Sequence, residues 1–252
     1  MLRLDGAELV SAANGRTIGV GTLDTPSLAE LRAQVPDTGP GELDEIIADV
    51  GDLHAMPSAE GATFQVASQF NLLEMPSPER TPDHGVADYH NDPTQGPACA
   101  IACGGATIYR NWLVPLGDQL GQSAERQIDC LADLGVVFGN TDGSIWTMRN
   151  GYCFPTPQGL GRIRAMLDSA APGEREFFAG QLRIGVHANA EVTIGPSPER
   201  GHRVTQVFCS ALPVAYGEHE PRQWEPFARL VLEASYEATL RVAHLNAAAT
   251  GK

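Results

Sequence analysis

The chain has 252 residues, 42% of them hydrophobic and 6% aromatic, and its 17 Lys+Arg against 31 Asp+Glu give a formal net charge of −14. That length suffices for one large α/β domain or two small ones around a largely aliphatic core. So acidic a chain repels a phosphate backbone, which argues against general binding to a nucleic-acid duplex or an anionic membrane, while a small anion held by local dipoles stays compatible with it. The five cysteines (Cys99, Cys103, Cys130, Cys153, Cys209) are odd in number, and only Cys99 and Cys103 lie close together. This spacing offers neither a disulfide framework nor a zinc pattern, and predicts a reduced, cytoplasmic compartment; no metal or cofactor is expected. The N-terminus has no basic-then-apolar signal pattern and no apolar run reaches membrane-spanning length.

Residues 8–12 and 17–20 read as strands on either side of Asn14-Gly15, a hairpin turn signal. Thr25-Pro26-Ser27 opens a helix, with Thr25 as cap, Pro26 in the first helical position, and Leu28, Leu31 and Val35 at helical spacing. Residues 36–41 form a turn-rich break, and 43–47 a short helix or strand before Gly51-Asp52. Residues 64–68 read as a buried strand. Five prolines within 76–97 predict a long irregular loop, of the kind that carries function when it occurs inside a domain. Residues 98–112 form a helix of small residues, and 123–138 an amphipathic helix with Ile128, Leu131, Leu134 and Phe138 on one face. Asn150-Gly151 marks a hairpin within 144–154. Helices are predicted at 158–167 and 174–181, and strands at 182–187, 191–194 and 204–211. A long final helix spans 224–245, with Trp224, Phe227, Val231, Ala234 and Ala238 at helical spacing. Strands and helices alternate without a repeat or linker, which predicts one α/β domain over residues 1–252.

The stretch from Gly51 to Trp112 carries the functional signal. An apolar strand ends in polar amides at Gln69 and Asn71, and Thr94-Gln95-Gly96-Pro97 opens the small-residue helix. A helix start presents unpaired backbone N–H groups and the positive end of the dipole, so the arrangement suits a phosphate or nucleotide. The competing reading is an ordinary strand-loop-helix connection.

The order of these pieces resembles the macro domain superfamily, whose members bind ADP-ribose and in some cases hydrolyse ADP-ribosyl linkages. Gly51-Asp52-Leu53 is similar to the family's Gly-Asp-Ile step. Residues 64–71 are similar to its buried strand, and 94–101 to its first glycine-rich phosphate loop and helix. Residues 206–213 and the helix after them are similar to the elements preceding its second phosphate loop. The resemblance implies a three-layer α/β/α sandwich with a mixed sheet and, here, an elaborated middle segment. It implies that Asp52 and Leu53 meet adenine and that Ser68, Gln69 or Asn71 meets the distal ribose. It further implies that Gln95, Gly96, Pro97, Ala98 and Cys99 offer backbone amides to the diphosphate. An ADP-ribosylated protein is the implied partner. The chain stops at Thr250-Gly251-Lys252, where a macro domain continues into a late strand and second glycine loop, so either a truncated product or a different site is expected.

For hydrolysis, Thr94-Gln95 stands where poly(ADP-ribose) hydrolases carry consecutive glutamates, and glutamine transfers no proton. His90 and Asp92 are therefore the catalytic candidates, with Asp92 orienting His90 or a water, and Glu74 is a further acid. Both alternatives belong to other classes. One is a cysteine hydrolase with Cys99 activated at a helix start, Gln95 at the oxyanion and His187 or His202 as base. The other is a noncatalytic interaction module. Arg110 and Asn111 could contact phosphate or cap their helix, and Tyr152, Phe154 and Tyr216 could stack on a base or fill the core.

Overall fold

The computed structural model describes residues 2–35, 41–195, 201–217 and 219–251. It is a mixed α/β protein with several small sheets. Strands β1 (Leu2–Asp5), β2 (Glu8–Ser11) and β3 (Thr17–Gly19) form an antiparallel meander. The Asn14-Gly15 turn lies between β2 and β3, as its turn chemistry predicts. Strand β4 (Thr22–Asp24) leads into α1 (Leu28–Gln34). The cap of α1 is Ser27 rather than Thr25: Ser27 and Glu30 form a reciprocal capping box, while Pro26 stays outside the helix and its carbonyl accepts from the Ile184 N–H.

Residues 42–49 form neither helix nor strand, and Leu43 and Ile47 stand fully in solvent, contrary to the element expected at 43–47. The 36–40 part of the predicted turn-rich break lies outside the described residues. Asp49 caps α2 (Val50–Ala55), so Gly51-Asp52 begins a helix. The buried strand is β5 (Thr63–Ser68). The 76–97 loop holds 3-10 turns at Pro82–His84 and Ala87–Asn91.

The expected small-residue helix is two helices, α3 (Gln95–Ala102) and α4 (Gly104–Trp112), broken at Cys103. Gly104-Gly105 is a poor helix continuer, and Thr193 inserts at the break, its N–H donating to Ala102 O at 2.8 Å and its Oγ1 accepting from Gly104 N at 3.1 Å. Short strands β6 (Pro115–Leu116) and β7 (Gln119–Leu120) follow, then α5 (Ala132–Phe138). The amphipathic helix predicted at 123–138 exists only in its last two turns. Over 122–131 the backbone bonds elsewhere: Cys130 N–H donates to Phe70 O at 3.0 Å and Ile128 N–H to Gln122 Oε1 at 3.0 Å.

Strands β8 (Trp146–Arg149) and β9 (Tyr152–Pro155) form the predicted hairpin, with Asn150 (φ 48°) and Gly151 (φ 79°) both left-handed. Helices α6 (Pro157–Ser169) and α7 (Pro172–Gly180) precede β10 (Gly185–Glu191). The two strands expected at 182–187 and 191–194 are thus one, with an irregularity between His187 and Ala190. Strand β11 (Arg203–Ser210) and the long helix α8 (Pro221–Thr250) complete the described chain.

The main sheet has the order β4-β10-β11-β5, antiparallel except where β11 and β5 run parallel. Side chains on β11 alternate between two helical neighbours. Thr205 bonds Asn246 of α8, and Cys209 donates to the Ser235 carbonyl of α8. On the other face, Gln206 donates to the Cys99 carbonyl of α3, and Phe208 lies under the guanidinium of Arg110 of α4. The largest apolar cluster joins β5, β9, β11, α1, α5, α6 and α8. Among the described residues, no helix is long and apolar enough to cross a membrane.

Candidate functional site

Because β5 and β11 are adjacent and parallel, their carboxyl ends open on the same side of the sheet, the place where open α/β sheets receive ligands. A cleft of about 700 Å³ lies there. Its walls are Ser68, Gln69 and Glu74 after β5, residues 94–97 at the start of α3, residues 210–213 after β11, and Tyr152, Tyr216, Leu232 and Tyr236.

The wall after β5 is held by a dense set of bonds. Leu72 takes a left-handed φ of 63°, a conformation that costs a branched side chain energy and persists only where its surroundings impose it. Here the Leu72 carbonyl accepts from Arg110 Nε at 3.0 Å, and the Asn71 carbonyl accepts from Gln122 Nε2 at 2.9 Å. Gln69 Oε1 accepts from Met75 N–H at 2.7 Å, Asn71 Oδ1 from Leu73 N–H at 3.2 Å, and Tyr89 Oη from Glu74 N–H at 3.0 Å. Phe70 N–H reaches the Gly151 carbonyl, where a Cβ in place of hydrogen would stand 2.5 Å from Asn71 Oδ1.

This framework buries Glu74 at the border of the cleft, with 2% exposure and with both carboxyl oxygens sealed from solvent and lacking a hydrogen bond. The nearest positive charge, Arg110 Nη2, is 3.8 Å away. Burial dominates over that attraction and pushes the Glu74 carboxyl up to about 8, so the group is largely protonated at neutral pH. Arg110 is itself fully buried over the Phe208 ring, with its guanidinium 3.8 Å from the ring centroid. It donates to Thr107 Oγ1 at 3.1 Å and to His187 Nδ1 at 3.4 Å, and His187 Nε2–H donates to the Val20 carbonyl at 2.6 Å. Burial and the neighbouring Arg110 charge hold His187 down to about 3, so it is neutral.

The start of α3 forms the opposite wall. Helix geometry leaves the N–H groups of Gln95 and Gly96 without intrahelical partners. Gly96 permits the approach: a methyl group there would collide with the Ala67 carbonyl oxygen and touch Glu74 Cγ at 3.1 Å. The Gln95 side chain acts as a short extra strand, accepting from Ala67 N–H at 2.8 Å and donating to the Gln65 carbonyl at 2.7 Å. Asp92 lines the rim, its Oδ1 accepting from Thr94 N–H at 2.9 Å and Thr94 Oγ1 at 2.6 Å.

Of the residues singled out from the sequence, Ser68, Gln69, Asp92, Gln95, Gly96 and Pro97 meet in this cleft. Asn71 does not: it is fully buried, donating to Gln127 Oε1 at 2.9 Å. Asp52 and Leu53 sit on α2 outside the lining, with Asp52 exposed. His90 is exposed on its 3-10 turn and bonds the Ala87 carbonyl at 2.6 Å, away from the lining, as is Ala98. Cys99 is fully buried, and burial pushes its thiol up to about 12, the reverse of the activation expected at a helix start. No hydrogen bond joins it to His187 or His202 among the described residues, and Gln95 spends both amide ends on β5. The cysteine-hydrolase arrangement is therefore not assembled. Arg110 and Asn111 are also buried, which removes them as surface phosphate contacts. Tyr152 and Tyr216 reach the cleft, whereas Phe154 does not line it.

Sequence reasoning missed Leu232 and Tyr236 as lining residues, although their spacing of four on α8 places them on one helix face. Among the described residues, no group of three or more His, Cys, Asp and Glu side chains could hold a metal ion. No family model, curated protein or solved structure matches the chain.

Proposed function

We propose that this cleft binds ADP-ribose or a related nucleotide, in a macro-type three-layer α/β/α domain with an elaborated middle segment. One observation supports the reading: the start of α3, packed closely on β5 through Gly96, lines a cleft at the carboxyl ends of two adjacent parallel strands. The diphosphate sits against the backbone N–H groups of Gln95 and Gly96, where the helix dipole favours an anion despite the acidic net charge. Gln69 Nε2 and the hydroxyls of Ser68 and Ser210 offer partners to ribose oxygens. The exposed rings of Tyr216 and Tyr236 offer faces to the base. Asp52, Leu53 and His90 take no part in this arrangement. An ADP-ribosylated protein would present the same group from outside the cleft.

The test is calorimetric titration of the chain with ADP-ribose, beside AMP and NAD. Saturable binding of ADP-ribose that is weakened in Tyr236→Ala, an exposed residue of the lining, with the fold retained by circular dichroism, is the expected result. Absence of heat and of competition with all three nucleotides refutes the reading.

A further inference from the structure

The cleft is one-sided in charge. Among the described residues, no Lys, Arg or His side chain lines it, while Asp92 stands at its rim. Burial, Tyr216 and the Asp92 charge together raise the Tyr152 hydroxyl, so these three side chains share one corner. Both hydrogen bonds that Asp92 accepts fall on Oδ1, from Thr94 N–H and Thr94 Oγ1, and Oδ2 accepts none among the described residues. The Tyr152 and Tyr216 ring centroids are 5.4 Å apart with the planes inclined at 50°, so the rings meet at an angle instead of stacking flat. Tyr152 is fixed by its hydroxyl, which donates to the Met75 carbonyl at 2.7 Å. Tyr216 is 56% exposed, which leaves a face of its ring open. Arg149, close in sequence to Tyr152, is engaged elsewhere: it pairs with Glu79 and lies over the Phe154 ring at 5.3 Å, and none of these three residues lines the cleft.

We infer that this corner binds a trimethylammonium group, with its methyls against the Tyr216 and Tyr152 rings and its charge balanced by the Asp92 carboxylate. The negative face of an aromatic ring attracts a cation, and does so more strongly where the cation sheds water. A quaternary ammonium loses its water cheaply and has no N–H to satisfy. A primary ammonium brings three donors, and here the Met75 carbonyl is already taken by Tyr152, leaving Asp92 Oδ2 as its acceptor. The net charge of −14 draws a cation towards the chain from a distance. The group arrives either on a free small molecule such as choline or on a trimethylated lysine of another protein, and both present the same chemistry to the corner. The inference goes beyond the nucleotide reading and does not depend on it, because the α3 backbone and Tyr236 are left to the nucleotide.

The experiment titrates three probes calorimetrically into the chain with no nucleotide present: choline, a short peptide carrying trimethyllysine, and the neutral alcohol in which a carbon atom replaces the choline nitrogen. Choline should bind saturably, and the neutral alcohol of the same shape should bind roughly 5–30-fold more weakly, since only the charge differs. Tyr216→Leu should weaken choline by a similar factor of roughly 5–30, while Tyr216→Phe keeps the ring face and should keep the affinity. Asp92→Asn should also weaken choline, most clearly at low salt, where the carboxylate is least screened. With these results, tighter binding of the peptide than of choline assigns the site to a protein side chain, and the reverse order assigns it to a free small molecule. No saturable binding of choline overturns the inference. So does equal binding of the neutral alcohol, or a choline affinity unchanged in both Tyr216→Leu and Asp92→Asn. ADP-ribose is titrated separately, so any of these failures leaves the nucleotide reading standing.

Discussion

Glu74→Gln should match wild type at about pH 4 and become progressively more stable than it as the pH rises to about 8. The glutamine has the shape of the protonated acid and cannot ionise, so the two chains differ wherever Glu74 ionises in the unfolded or the folded state. In the unfolded chain Glu74 titrates near its ordinary 4.5, while in the folded chain burial pushes it up to about 8. Below 4.5 both states hold the proton, and wild type has its full stability. Between the two values the folded state keeps a proton that the unfolded state has lost, so stability falls with rising pH. Above about 8 both states are ionised and the loss is complete. A difference of about three and a half units at about 1.4 kcal/mol each sums to on the order of 5 kcal/mol. At about 2–4 °C per kcal/mol for a chain of this size, the melting temperatures should diverge by roughly 10–20 °C near pH 9. Thermal and urea melts of both proteins from about pH 4 to about pH 9 read this directly, and their difference cancels the other titrating groups. Parallel stability curves would show that Glu74 ionises as freely in the folded chain as in the unfolded one, and would refute its burial as the cause of the shift.

Three further outcomes follow from the same geometry. Gly96→Ala forces its new methyl against the Ala67 carbonyl, so urea melts should show a loss of about 1–3 kcal/mol, and titration should show weakened ADP-ribose binding. All five cysteines are buried free thiols, so a thiol reagent should label none of them in the native protein and all of them in urea. Rapid labelling of Cys99 under native conditions would contradict its placement. Arg110→Met leaves the Leu72 carbonyl, Thr107 and His187 Nδ1 without their shared donor and should destabilise by about 3–5 kcal/mol, whereas a melt within about 1 kcal/mol of wild type would show that this buried charge holds nothing together.

What could be read from the sequence was what depends on neighbours in sequence. The Asn14-Gly15 and Asn150-Gly151 turns, the buried strand ending at Ser68 and the apolar stripe of the last helix are each set by local backbone chemistry or by a clear period. The helix expected at 123–138 had as clear a stripe, and it formed only where no stronger partner competed. Residues 122–131 gave up helical bonds to serve Phe70, Asn71 and Asn150, contacts across 23 to 60 positions that no local pattern announces. The break at Cys103 has the same origin: Gly104-Gly105 weakens the helix, but Thr193 from another strand decides where it ends. At 43–47 a short helix or strand is expected, yet Leu43 and Ile47 meet nothing that would bury them.

The site was legible as a place rather than as a set of roles. The strand end and the helix start do meet, and Ser68, Gln69, Gln95 and Gly96 share one cleft. Their duties depend on burial, which a sequence does not display. Gln95 is expected to polarise a ligand, but it spends both amide ends completing the open edge of β5. Asn71 was a candidate for the ribose, but it turns inward to brace Leu73 and Gln127. Glu74 and Arg110 travelled the other way. The sequence offers Glu74 only as one further acid among 31 acidic residues, and Arg110 as a phosphate contact or a helix cap. Only in three dimensions does Arg110 reach under the loop to hold the Leu72 carbonyl, and only then is the Glu74 carboxyl left beside Gly96 with nothing to bond. The strained turn at Leu72 is what joins these facts. It reverses the chain after β5, where Gln69 N–H donates to the Leu73 carbonyl, so that the residue two positions on is buried beside Gly96 instead of exposed.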